Sequence, residues 1–138
     1  MKSKIWNLFV LINYCGQRIS YSFFTEKAVV NVILFELSFI TSGILIGILA
    51  LIGVENPIFA AIIGLAFVLV IWKLFENKVQ NGIEFFNLEY YYSNISVFKR
   101  TLFFLFAICL FAFSFLFMLY SIGFVVSFGK SLGIASQR

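Results

Sequence analysis

Apolar residues run almost unbroken through 28–54, 57–75 and 101–128, while polar residues collect between and before these stretches. Each stretch is close to or above the roughly 20 residues that carry an α-helix across a bilayer. Only Glu55 and Asn56 separate the first two, with Pro57 suited to the first turn of the next helix, so the pattern predicts a tight helical hairpin. A polar and aromatic connection, ENKVQNGIEFFNLEYYYSNISVFKR at 76–100, leads to the third, Phe-rich span. In 1–27, Ile5, Leu8, Ile12, Cys15, Ile19 and Phe23 recur at spacings of three and four, with Asn13, Gln17 and Ser20 on another face. That pattern predicts an amphipathic helix lying on the inner leaflet. The competing expectation is a fourth span with Arg18 near its inner end, which would reverse the side of the N terminus.

The fold class expected is therefore an all-α integral membrane protein: one membrane domain over 1–138, three transmembrane helices, an N-terminal interfacial helix and a tail at 129–138. Composition agrees, since 62% of the 138 residues are hydrophobic, only 12% are charged and the mean hydropathy is +1.04. A soluble domain carries more polar surface than this. The net charge of +4 does not form a nucleic-acid patch, because the cations flank the apolar runs. Lys2, Lys4, Arg18 and Lys27 precede the first span, and Lys73, Lys78, Lys99 and Arg100 border the long connection. The positive-inside rule then places the N terminus and the connection in the cytoplasm, and the hairpin turn and C terminus outside. The localisation expected is the inner (plasma) membrane of a bacterium.

Chemistry is sparse. Cys15 and Cys109 lie in separate segments and the chain has no histidine, so neither a disulfide framework nor a metal site is expected. No nucleophile with a base and no pair of catalytic acids emerges; neither an enzymatic activity nor a cofactor is expected. Gly129-Lys130-Ser131 lacks the glycine spacing of a phosphate-binding loop, and Asn94-Ile95-Ser96 is a sequon on the expected cytoplasmic side. Glu36 is an acid inside the first apolar run. Counting about 19 residues back from the turn puts it at the cytoplasmic boundary, within reach of Lys73. The alternative is a functional intramembrane acid, because such acids are rare unless used.

Helix contacts in lipid depend on small residues. An antiparallel fold about the turn sets Gly47 opposite Gly64 and Ala50 opposite Ala61, with Gly43 further along the same span. In the connection, Val79, Ile83, Phe86 and Tyr90 form a stripe at helical spacing, which predicts a helix continuing the second span. Phe85, Phe86, Tyr90, Tyr91 and Tyr92 form an aromatic cluster suited to docking a soluble cytoplasmic protein.

The function expected is a non-enzymatic membrane subunit that forms homo-oligomers and anchors, or senses for, that partner. In general topology, and through no shared motif, the chain resembles small membrane subunits of bacterial antiphage systems of the Kiwa type. That resemblance implies a sensing or localising role beside an effector in antiviral defence. Two alternatives stay open: an immunity protein resembling those against pore-forming colicins, and a holin-like or channel-forming protein.

Overall fold

The computed structural model describes residues 4–20 and 25–136, the last eight of these by backbone alone. Five helices follow one another, α1 (Lys4–Ser20), α2 (Glu26–Leu51), α3 (Pro57–Gly82), α4 (Phe85–Asn94) and α5 (Val97–Ser136), and no strand occurs among the described residues. Three of them are long and apolar enough to cross a membrane: α2, α3 and the part of α5 from Val97 to Phe128. At 26 residues, α2 and α3 each extend about 39 Å, beyond a hydrocarbon core of roughly 30 Å. Lys2, Phe23 and Arg138 lie outside the described residues.

The helix ends are set by local chemistry. Thr25 caps α2, its hydroxyl accepting the Ala28 N–H at 3.3 Å. At the other end Gly53 takes φ +93, and the N–H groups of Gly53 and Val54 return to the carbonyls of Ala50 and Leu49. This is the Schellman closure, and the left-handed residue in it favours glycine. Asn56 then caps α3, its side-chain oxygen accepting N–H groups of Ile58 and Phe59 at 3.0 and 3.2 Å, with Pro57 in the first helical position.

Two departures from the sequence pattern have physical causes. The helix that continues the second apolar span reaches only Gly82, and the connection then restarts as a separate helix at Phe85. The break falls between Gly82 and Glu84, so the stripe divides: Val79 and Ile83 are buried, whereas Phe86 and Tyr90 are exposed. The segment 129–136, expected as a tail, continues α5.

The chain forms two compact units, Met1–Leu34 with Leu74–Ala112 and Phe35–Lys73 with Phe113–Arg138. The first buries Val10, Tyr14, Cys15, Val29, Ile33, Val79, Leu88 and Ala107. Here α1 meets α5 closely, since a Cβ on Gly16 would stand 2.7 Å from the Ala107 Cβ.

The second unit has a core of Ile46, Ala50, Ala60, Val68, Met118 and Val125, with Phe39 and Phe124 packed on it. Gly64 lies against α2, but the side chain it meets is Ile46, whose Cδ1 would be 2.6 Å from an added Cβ. Gly47 has open space within 4 Å, and Ala60 is buried where Ala61 is only half-buried. The expected Gly47–Gly64 register is thus corrected by one residue, because Ser42, donating to the Gly64 carbonyl at 3.1 Å, turns the Ile46 face toward α3. The other approach is at Gly43, where an added Cβ would be 2.7 Å from the Phe117 ring.

Gly43→Leu should therefore cost about 1–3 kcal/mol or prevent folding, whereas Gly47→Leu should stay within about 0.5 kcal/mol. Thermal aggregation of the two variants in detergent checks this. Equal loss would show that the small residues are not placed by contact.

Candidate functional site

The site lies in the first unit, where α1, the end of α3 and α4 come together. Ten residues long, α4 buries Leu88 and half-buries Phe85 and Tyr92. Its remaining rings point outward: Phe86 is 87% exposed, Tyr90 65% and Tyr91 58%. The five-ring cluster expected from sequence is therefore divided by the helix into a docked pair and an exposed trio. Tyr90 and Tyr91 meet edge to face with centroids 6.1 Å apart.

Glu89 holds α4 to α1. Its carboxylate accepts a hydrogen bond from the Tyr14 hydroxyl, and Arg18 pairs with it at 3.2 Å. The ion pair is half-exposed and contributes on the order of 0.2–1 kcal/mol, so the buried Tyr14 is the stronger partner. Burial and the Glu89 carboxylate raise the Tyr14 phenol well above its ordinary value. Tyr92 meets the Tyr14 ring edge to face at 6.0 Å, and the Arg100 guanidinium covers Tyr92 from 4.5 Å. Arg100 also donates to the carbonyls of Ser93 and Ile95 at 3.0 and 3.2 Å. A cation in the first turn of α5 opposes the dipole of its own helix, but here it satisfies the carbonyl end of α4.

Burial on α1 follows neither expected face as a whole: Cys15 of the apolar stripe and Asn13 of the polar one are both buried, whereas Ser20 is exposed. Asn13, Tyr14, Cys15 and Gly16 are buried, while Ile5, Leu8 and Ile19 of the apolar stripe are exposed. Asn13 is accommodated by donating to the Phe9 carbonyl at 3.3 Å. Tyr14 and Asn13 carried no recognisable motif; the signal that could have found them is the long-range match between two polar-aromatic segments.

A cleft of about 660 Å³ opens beside this clamp, lined by Trp6, Leu11, Gly82, Glu84, Asn87 and Tyr91 among others. Asn87 donates to Glu84 at 2.6 Å on its rim. Tyr91 joins the cleft to the exposed rings.

Of the residues proposed for helix packing, Gly43 and Gly64 lie at close approaches, Ala50 is in the core of the second unit, and Gly47 and Ala61 are off it. Glu36 is 1% exposed and enclosed by protein, and Lys73 is exposed. Among the described residues no group of three potential metal ligands occurs. Comparison with family models, with curated proteins and with solved structures finds no match to this chain.

The Cys15 thiol reports on the clamp. Burial pushes it up to about 11, with Arg100 acting weakly in the opposite direction. A thiol raised on folding favours docking fully below its ordinary range, and that contribution is lost as pH rises through about 11. In a Cys109→Ser background, maleimide should modify Cys15 slowly at neutral pH. Glu89→Ala should raise the rate about tenfold, equivalent to roughly 1.4 kcal/mol of lost docking. An unchanged rate would mean that Glu89 does not hold α1.

Proposed function

We propose that this chain is a multi-pass inner-membrane subunit, without enzymatic activity, that forms homo-oligomers and anchors a soluble cytoplasmic protein through α4. The membrane placement is supported by large apolar side chains that remain exposed along the long helices, such as Ile58, Ile62, Leu69, Phe113 and Leu116. A soluble protein rarely leaves so extended an apolar surface uncovered. The exposed stripe of α1, with Lys4 nearby, suits an anionic inner leaflet. In the Kiwa-like outline, the anchored partner would be the effector of an antiphage system.

The observation that carries the anchoring role is the trio Phe86, Tyr90 and Tyr91, held exposed on a short helix outside the three long apolar ones. Rings presented by a clamped helix lose little entropy on binding, and aromatic anchors dominate interface energies. Of the alternatives, a wide pore gains little support, since Ser114 and Ser121 are buried and Ser127 stands on another face.

The test is gentle extraction through a C-terminal tag, followed by measurement of complex mass and composition. A fixed ratio of this chain to one soluble protein is expected. Phe86→Ala with Tyr91→Ala should reduce capture at least about tenfold, given about 2 kcal/mol for a ring at a hot spot, without changing the mass of the homo-oligomer. Full capture by the double variant would remove α4 from the role.

A further inference from the structure

Glu36 is the only carboxylate buried among the described residues. On α2 it belongs to a seam, Val29, Glu36, Gly43 and Ala50, in which buried residues recur every seventh position. The facing positions on α5 are Ser114 and Ser121, with the same interval and also buried. The register between them is anchored at one end, where an added Cβ at Gly43 would lie 3.3 Å from the Ser121 hydroxyl. Both helices run the same way, so two turns back from Gly43 and two turns back from Ser121 bring Glu36 level with Ser114. The edge-to-face contact of Phe39 and Phe115, 5.7 Å between centroids, sits at the neighbouring level and fits this register.

The surroundings limit what such a place can hold. On the adjoining α2 face, Ser38 is fully buried with its hydroxyl unpaired, and Ser42 is committed to the Gly64 carbonyl. The other ionisable side chains described in this unit, Glu55, Lys73 and Tyr120, are all exposed. One carboxylate with hydroxyl oxygens balances a single positive charge. A divalent ion would leave an excess charge in apolar surroundings, and a transition metal would want imidazole or thiolate ligands, whereas this unit offers only the Met118 thioether.

We propose that Glu36 and Ser114 form a site within the spanning unit for one small monovalent cation, a proton or sodium, bound by oxygen alone. The inference rests on α2 crossing a bilayer and is independent of partner capture. Intramembrane acids that face a helical interior mark ion sites by default, and here a hydroxyl on the opposing helix stands at the same height.

The experiment uses the full chain in phospholipid vesicles. The hydrophobic reagent dicyclohexylcarbodiimide, which attacks only protonated carboxyl groups, is compared with a water-soluble carbodiimide, and adducts are mapped by mass spectrometry. The hydrophobic reagent is expected to modify Glu36 and the soluble one only exposed acids such as Glu55, with Glu36→Gln abolishing the inner adduct. Labelling should fall about tenfold per pH unit beyond its midpoint, as for one titrating group. Suppression by sodium chloride but not potassium chloride at fixed pH would identify sodium; indifference to both salts with the pH response intact would identify a proton. Ser114→Ala should shift the midpoint or the protecting sodium concentration. Absence of any Glu36 adduct in folded protein that labels once denatured, insensitivity to both pH and sodium, or an unshifted Ser114→Ala profile would overturn the site. Equal reaction of Glu36 and Glu55 with the soluble reagent would instead overturn the spanning reading itself.

Discussion

Close approach of helix backbones is the constraint on which the second unit depends. With few polar side chains to pair across the helices, α2 must be held by shape: Gly43 leaves room on α2 for Phe117 of α5, and Gly64 leaves room on α3 for Ile46 of α2. On the proposed membrane placement, lipid offers no hydrophobic drive between helices, so this contact and its dispersion energy carry the association. The distribution of side chains on α5 follows from it. Ser114, Met118, Ser121 and Val125 turn inward, whereas Phe113, Leu116 and Tyr120 turn outward. Size, more than polarity, decides which face is interior.

The first unit solves a different problem. Its short helices cannot rely on length for stability, and a few polar side chains act where apolar packing is thin. Glu89 joins Tyr14 and Arg18, while Arg100 stacks on Tyr92 and closes the open carbonyl end of α4. Arg100 therefore belongs by sequence to one helix and by bonding to the one before it. The rings left over from this arrangement are those that a partner could use.

The long helices were legible in the sequence because their apolar runs exceed what any other element needs. The turn was legible for a related reason: asparagine before proline has few other roles. Their detailed contacts were not. Gly47 and Gly64 match on paper, but a one-residue rotation of α2 hands the contact to Ile46, and no local feature encodes that rotation. The inner seam of α5 was hidden by its rings; Ser114 and Ser121 read as scattered until the seven-residue interval is counted. The burial of Glu36 was not legible either, because a count of residues from the turn gives height along α2 and not which way a side chain faces. The buried run of α1, Asn13 to Gly16, was missed because it takes residues from both expected faces, and spacing alone ranks neither.

Between α2 and α3, the end of one helix and the start of the next are both capped. Gly53 and Val54 bond back into one helix, and Asn56 bonds forward into the next. Such a linker has no slack to lend. Neither helix can ratchet lengthwise past the other without breaking a cap, so the pair behaves as a single staple. On the proposed membrane placement, a staple of this kind would enter the bilayer as one piece, neither helix waiting in the lipid for the other.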